Sequence, residues 1–237
     1  MKFSFARPAL VLAASLTLAS CGGGGKATFP ITVTVRNLQN LDDGTLVLST
    51  NGMNLPFTAA NPVADITQTF PNALEYGQAY DVIPEGQVIT NGTVTTVGAQ
   101  PEHQTCAPST TYPYNLLASG TAGQLAKIQI YYDCAPIAYP LTGTITGLTA
   151  DGLTLSNGSN DGPVVVASGS TTFAMSVGVI YKQSYGVAIQ TQPTGETCTI
   201  TGGNGSDNNG SGIMDEAATK AGGVSNLVIT CVASASS

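Results

Sequence analysis

The sequence predicts an all-β fold made of two tandem sandwich domains. Thr, Val, Gly, Ser and Asn dominate a composition that is 42% hydrophobic and only 9% charged. Thr and Val favour pleated strands, whereas disordered chains combine low hydrophobicity with high net charge. Helix-type periodicity is hard to find after Cys21, and alternating apolar segments occur in two long stretches with the same internal order.

That shared order is an internal repeat. The alternating segment after Phe29-Pro30 corresponds to the one after Tyr139-Pro140, and turns and strands follow in the same sequence. The further matches are Thr69-Phe70 with Thr172-Phe173, Tyr76, Gln78, Tyr80 and Val82 with Tyr181, Gln183, Tyr185 and Val187, and Gln100-Pro101, Thr105 and Cys106 with Gln192-Pro193, Thr197 and Cys198. Short strands bounded by Asn-Gly, Asp-Gly and Pro turns are typical of a β-sandwich.

Residues 1–20 read as a secretory signal peptide, because a short basic start precedes an apolar run from Ala9 to Leu18. The ending Leu18-Ala19-Ser20-Cys21 resembles the lipobox of bacterial lipoproteins. The resemblance implies cleavage before Cys21 and acylation of that cysteine by fatty acids such as palmitate. Gly22 follows it, and in the Gram-negative sorting pattern the lack of aspartate there implies the outer membrane.

The membrane is therefore expected as a partner through the N-terminal lipid anchor. No later segment approaches the roughly 20 apolar residues that a spanning helix needs. Removal of the signal peptide leaves five basic and 14 acidic residues, a formal charge of −9. Such a surface repels the nucleic acid backbone, so we expect no nucleic acid partner.

The mature chain is expected to divide at the repeat. Residues 21–28 form an acylated cysteine and a Gly-rich leash, 29–134 the first domain, 135–138 a linker and 139–237 the second domain. The first copy carries an insertion in which Asn91-Gly92 predicts a hairpin turn. The second copy has a longer stretch between its cysteines, residues 202–223. Insertions of this kind are commonly tolerated decoration, although binding residues often lie in loops.

Five cysteines divide into one for the lipid and two pairs. Equivalent positions in the repeat predict the disulfides Cys106–Cys134 and Cys198–Cys231, in an oxidising compartment. Cross-domain pairing is the alternative. A metal site would need four ligands, and no second Cys or His lies near either member of a pair in the sequence.

These motifs carry a second resemblance. Tyr-x-Val, then Gln-Pro-x-x-x-Thr-Cys, then a closing Val/Ile strand that ends in Cys occurs twice. The pattern resembles the immunoglobulin-like modules of bacterial surface proteins and lipoproteins. It implies two immunoglobulin-like β-sandwiches and a place in the cell envelope, and it brings no shared catalytic residues. The short spacing between the cysteines differs from the inter-sheet bridge of antibody domains.

Candidate chemistry is sparse. The single histidine, His103, lies in a turn where the second copy has Gly195, and no nucleophile or orienting partner accompanies it. We therefore expect a solvent-facing residue, no catalytic residues, no cofactor and no enzyme. A weak calcium candidate is formed by Asp207, Asn209, Ser211 and Asp215. The glutamate that should complete such a loop is replaced by Ala218, and no flanking helices are predicted, which favours a mobile polar loop.

Tyrosines offer a possible glycan platform at Tyr112, Tyr114, Tyr131 and Tyr132. The last two are adjacent in a strand, so alternation should point one inward and the other outward. Core and rim packing is the favoured interpretation.

The leading functional hypothesis is a non-catalytic envelope lipoprotein that presents two immunoglobulin-like modules for binding, adhesion or spacing. The alternative is a glycan- or calcium-binding surface lipoprotein that uses the two insertions. A small enzyme with residues assembled from both modules is a third hypothesis, and it would need a deep pocket at their junction.

Overall fold

The computed structural model describes residues 26–42, 44–90, 93–111, 118–158 and 162–235. The expected signal peptide, the expected acylation site Cys21, the glycines that follow it, the Asn91-Gly92 turn and the tyrosines Tyr112 and Tyr114 lie outside the described residues. No helix within the described ranges is long and apolar enough to cross a membrane.

The described residues form 22 strands and one short helix, and the all-β prediction is confirmed. The first half of the chain, residues 26–136, contains β1 (Thr28–Phe29), β2 (Ile31–Arg36), β3 (Leu46–Thr50), β4 (Met53–Phe57), β5 (Ile66–Thr69), β6 (Leu74–Glu75), β7 (Ala79–Asp81), β8 (Glu85–Thr90), β9 (Thr93–Gly98), β10 (Gln104–Pro108), β11 (Ser119–Thr121) and β12 (Ile128–Pro136).

The second half, residues 138–235, contains β13 (Ala138–Tyr139), β14 (Leu141–Thr146), β15 (Leu153–Asn157), β16 (Val164–Val166), β17 (Thr172–Ala174), β18 (Val179–Ile180), β19 (Ser184–Thr191), β20 (Glu196–Thr201), β21 (Ser211–Ile213), α1 (Glu216–Lys220) and β22 (Val224–Ala233).

Each half has a four-stranded sheet with the same arrangement. The strand order is β5-β2-β12-β10 in the first half and β17-β14-β22-β20 in the second. The first long strand pairs in parallel with the last, β2 with β12 and β14 with β22, while the other neighbours are antiparallel. Parallel neighbours cannot be joined by a tight turn. The whole chain between the two strands therefore serves as their connection.

The remaining strands form smaller or separate sheets. In the second half they are ordered β16-β15-β19-β21. In the first half, β3 pairs with β4, β7 with β11, and β8 with β9. The β8–β9 register places Thr90 opposite Thr93, so the strands of the expected hairpin are confirmed although its turn is not described.

Alternation along the strands creates the cores. In β2, Ile31, Val33 and Val35 are fully buried, and the threonines between them are half-buried. This period of two places one face of the strand in the core. The buried apolar residues form two clusters, one between Ile31 and Cys134 and one between Leu141 and Cys231.

Both expected cysteine pairs lie at bonding distance. The S–S distance is 2.01 Å for Cys106–Cys134 and 2.00 Å for Cys198–Cys231. Each pair joins directly opposed residues on the last two strands of one sheet, β10 with β12 and β20 with β22. The bridges therefore staple neighbouring strands rather than two sheets. Ring closures of this length stabilise the fold by about 3–4 kcal/mol in the chain-entropy model.

The Gln-Pro motif has a structural role beside each bridge. Gln100 Nε2 donates to the carbonyl of Cys106 at 2.8 Å, and Gln100 Oε1 accepts from the Cys106 N–H at 3.0 Å. Gln192 makes the same two hydrogen bonds to Cys198, at 2.9 and 2.7 Å. One amide side chain thus satisfies both backbone groups of a cysteine, which explains why the glutamine recurs at this spacing.

A second equivalent contact differs in charge. Gln104 Oε1 accepts from the Gln39 N–H at 2.8 Å. In the second half, the carboxylate of Glu196 accepts from the N–H of Thr149 at 3.0 Å and also from its hydroxyl. The hydroxyl hydrogen bond is the main reason that the pKa of Glu196 is lowered.

The contrast between Gln104 and Glu196 predicts a pH effect. A carboxylate with a lowered folded-state pKa stabilises the fold above its unfolded-state pKa and loses that contribution as the pH falls through the folded-state value. We expect Glu196→Gln, which copies the first half, to be less stable than wild type near neutral pH. The two proteins should converge only once the pH has fallen below the lowered folded-state pKa of Glu196.

Urea denaturation at a series of pH values measures this difference. Gln104→Ala removes the equivalent hydrogen bond from the first half, where no charge is involved, and serves as the control. Its deficit should be the same at every pH. A Glu196→Gln deficit that is equally independent of pH would contradict the assigned role of the carboxylate.

Candidate functional site

His103 lies where the two halves meet. Its side chain is only 2% exposed, so the expectation that it faces solvent is wrong. The Tyr181 ring stacks on the imidazole, with a centroid distance of 3.8 Å and an interplanar angle of 27°. The second half covers a turn residue that the first half alone would leave at its surface.

The chain path explains this position. Gln104, the first residue of β10, pairs with Pro136, the last residue of β12. His103 therefore lies beside Ile137, whose N–H donates to the His103 carbonyl at 2.8 Å. Because β12 ends at Pro136 and β13 begins at Ala138, a single residue separates the strands of the two halves.

Both ring nitrogens of His103 contact the second half. Nδ1 is 2.9 Å from the hydroxyl of Tyr139, and Nε2 is 3.1 Å from Oε2 of Glu216. Tyr139 belongs to β13, and Glu216 begins α1. We call His103, Tyr139, Tyr181 and Glu216 the junction cluster. One side chain of the first half is thus held by three of the second.

Glu216 is kept ionised in this cluster. Lys220, one helical turn later, donates to its other oxygen, Oε1, with a separation of 2.9 Å. Hydrogen bonds from Lys220 first, and from His103 second, lower the pKa of Glu216. The helix that carries both residues begins at an N-cap, because Asp215 Oδ1 accepts from the Ala218 N–H at 2.8 Å.

A second contact between the halves lies near the cluster. Lys182 forms an ion pair with Asp42, and its ammonium also lies 5.5 Å from the centre of the Tyr181 ring. The side chains of Lys182 and Asp42 are 47% and 75% exposed, so solvent screens this pair. Exposed pairs contribute about 0–1 kcal/mol, and we regard the buried histidine as the main contact.

The sequence contains a signal for the junction in the spacing of its cysteines. If Cys106 lies opposite Cys134 on antiparallel strands, the residue two before Cys106 lies opposite the residue two after Cys134. Gln104 is then opposite Pro136. His103 must then lie next to the link into the second half. Its aromatic and acidic partners, Tyr181 and Glu216, carry no comparable signal, since they lie far away in the sequence.

The weak calcium candidates have other contacts in the structure. Asp207 Oδ1 accepts from the Ser206 hydroxyl at 3.1 Å, and Asn209 Oδ1 accepts from the Ser211 hydroxyl at 2.5 Å. Asp215 caps α1 and also accepts from Asn204 Nδ2 at 3.0 Å. Asp215 thus holds a helix that the sequence did not predict. Calcium binding by this segment stays a prediction.

The same insertion forms a cleft of about 230 Å³. The lining combines the small residues of α1 with polar groups at one end and includes Tyr185, Asn204, Asp215, Ala217, Ala218 and Val224. Tyr185 donates from its hydroxyl to Asn204 Oδ1 at 2.8 Å, which fixes that end of the cleft. The volume lies below the range of about 300–1,000 Å³ that is typical of drug-sized ligands.

The tyrosines of β12 follow the expected alternation. Tyr132 is fully buried and donates to the Val82 carbonyl at 2.6 Å. Tyr131 faces outward, with the Arg36 guanidinium 5.9 Å from its ring centre. Core and rim packing is therefore the role of both. Among the repeated tyrosines, Tyr76 is 72% exposed, whereas its counterpart Tyr181 stacks on His103.

No protein-family model matches the chain, and no curated protein sequence matches it. Solved structures with some similarity include two major pilin proteins of Streptococcus pyogenes, T-13 and T3.2. T-13 is 13% identical, with 89% of this chain and 98% of the pilin covered and a TM-score of 0.26. T3.2 is 10% identical, with 87% and 97% covered and a TM-score of 0.26. Similarity at this level carries no conclusion about function.

Proposed function

We propose that the protein is a non-catalytic envelope lipoprotein whose two immunoglobulin-like modules form a stiff spacer that presents its loops away from the membrane. The junction cluster is the observation that supports this function. A flexible tandem array would leave the residues between its domains exposed. Here a 2% exposed histidine contacts Tyr139, Tyr181 and Glu216 of the other half.

The link between the halves favours the same conclusion. Of residues 135–138, only Ile137 lies outside a strand, and its N–H is hydrogen-bonded to His103. Proline at position 136 restricts the backbone further. A pivoting linker needs several residues without fixed partners, and this link does not provide them. The two sandwiches then form one stiff arm rather than two domains that move independently.

The lipid anchor in this proposal is supported by the sequence. The segment Leu18-Ala19-Ser20-Cys21 resembles a lipobox, and the glycines after it would join the anchored cysteine to the arm. Two or more acyl chains hold a protein durably on a membrane, whereas one chain binds marginally. Gly22 after the cysteine supports the outer membrane of a Gram-negative cell as the location.

Small-angle scattering of the 26–237 fragment tests the stiffness of the arm. We expect one compact arrangement for wild type and a larger, more variable radius of gyration for His103→Ala/Tyr181→Ala. This double variant loses the imidazole contacts with Tyr139, Tyr181 and Glu216. The control is Tyr76→Ala, which alters the repeat-equivalent tyrosine away from the junction. Wild-type scattering that requires a broad ensemble of relative orientations would remove the spacer proposal.

Metabolic labelling with an acyl precursor tests the anchor. The full chain should incorporate the label and fractionate with membranes, and Cys21→Ser should do neither while its two disulfides still form. Protease treatment of intact cells then reports which side of the membrane the modules face. A mature protein without label, released as a soluble species, would contradict the anchoring.

Ligand binding by the second-half insertion is a second candidate function, and the cleft beside α1 is the observation that favours it. Calcium or a short oligosaccharide should raise the thermal unfolding temperature of the 26–237 fragment. Asp207→Asn is the matched variant for calcium, because Asp207 does not cap the helix. No shift with calcium or with an oligosaccharide panel at physiological concentrations would remove this candidate.

A further inference from the structure

We propose that Glu102, His103 and Glu216 form a zinc site that bridges the two halves of the chain. One ring nitrogen of His103 and one carboxylate oxygen of each glutamate lie within 4.8 Å of one another. Two ligands come from the first half and one from the second, so a bound ion would join the halves directly. This inference concerns a ligand and goes beyond the proposed spacer function.

The spacing of two ligand atoms already suits zinc. His103 Nε2 and Glu216 Oε2 are 3.1 Å apart. Zinc binds nitrogen and oxygen at about 2.0–2.2 Å, which places two ligands of a tetrahedral ion about 3.3 Å apart. Zinc would replace the hydrogen of this hydrogen bond, and the two ligand atoms would move apart by about 0.2 Å. Glu102 is exposed, so its side chain can turn to supply the third ligand, with water as the fourth.

The groups behind the ligands also fit. Histidine ligands of zinc usually hydrogen-bond through their other ring nitrogen, which fixes the ring. Nδ1 of His103 has the Tyr139 hydroxyl at 2.9 Å, and Tyr181 holds the ring plane. A tyrosine hydroxyl can both donate and accept. Without zinc, Nδ1 can therefore accept a hydrogen bond from the Tyr139 hydroxyl. When Nε2 binds zinc through its lone pair, Nδ1 carries the hydrogen and can donate to the same hydroxyl.

The carboxylates of the site favour metal binding, whereas the neighbouring Lys220 ammonium opposes it. Glu216 uses Oε1 for Lys220 and directs Oε2 toward His103, so one oxygen remains directed at the ion. The hydrogen bond with Glu216 is the main reason that the pKa of Lys220 is raised, and the charge of Glu102 raises this pKa further. Lys220 competes with a metal ion for both carboxylates. Replacing Lys220 should therefore strengthen zinc binding, whereas replacing a ligand should weaken it.

The donor set favours zinc over the alkaline-earth ions. Calcium and magnesium prefer oxygen ligands alone, whereas zinc readily combines imidazole with carboxylate. The other grouping of this kind in the described part of the chain contains Glu196, Cys198 and Cys231. Its two sulfurs are consumed in a disulfide, and thiolate is the form that binds a metal.

The experiment exploits the single histidine of the chain. The 26–237 fragment is purified without a histidine tag, treated with a chelator and titrated with zinc chloride. Imidazole ¹⁵N NMR then reports one residue, and thermal unfolding reports stabilisation by binding to the folded state. We expect a zinc-dependent shift of the Nε2 resonance together with a higher unfolding temperature, and neither with magnesium chloride.

Three variants define the site. Glu102→Gln should weaken zinc binding by at least about tenfold, and Lys220→Gln should strengthen it. Glu85→Gln, an exposed carboxylate elsewhere in the first half, should bind as wild type does. An unchanged Nε2 resonance at millimolar zinc would overturn the proposal. So would stabilisation by zinc that Glu102→Gln and Lys220→Gln leave unaltered, because the ion would then bind elsewhere. Neither outcome bears on acylation or on scattering, so the spacer proposal fails or survives separately.

Discussion

The parallel pairing of the first and last long strands is the constraint on which the rest of each half depends. The pairing of β2 with β12, and of β14 with β22, brings the two ends of a half into one sheet, and one face of these strands covers the core. The disulfide then fixes the last strand to β10 or β20, and a glutamine satisfies the backbone of one bridged cysteine. Because the last strand of the first half ends beside the turn before β10, the second half must begin against that turn. The contact at His103 follows from this topology.

Much of this architecture could be predicted because the amino-acid sequence contains an internal repeat. Equivalent positions gave the cysteine pairs, and alternation gave the opposite orientations of Tyr131 and Tyr132. The exposure of His103 could not be predicted in that way, since burial there depends on residues of the other half. The helix α1 escaped prediction because five residues contain little more than one turn and no periodicity. The repeat itself misleads at Tyr76 and Tyr181, which share a position but have different surroundings.

The two halves also show how one scaffold tolerates different chemistry. At the start of β10 and β20, Gln104 and Glu196 accept a hydrogen bond from the same backbone position, the first with a neutral amide and the second with a carboxylate. The geometry required by the fold is a single acceptor at that point, and either side chain supplies it. The choice nevertheless decides whether the contact responds to acid. A different side chain at this equivalent position thus changes the response to acid, while the order of the strands in the sheet around it stays the same.

If the proposed lipid anchor tethers the N-terminal end of the chain, the parallel arrangement has a mechanical consequence. Tension between the tether and a partner held by the second half would pull β2 from its beginning and β12 from its end, in opposite directions along neighbouring strands. The ladder between Ile31–Ile128 and Arg36–Asp133 would be loaded in shear, so its hydrogen bonds resist together instead of opening one by one. The bridge from Cys106 to Cys134 would also keep residues 107–133 from extending after rupture. Under that load, each half would resist extension along its length.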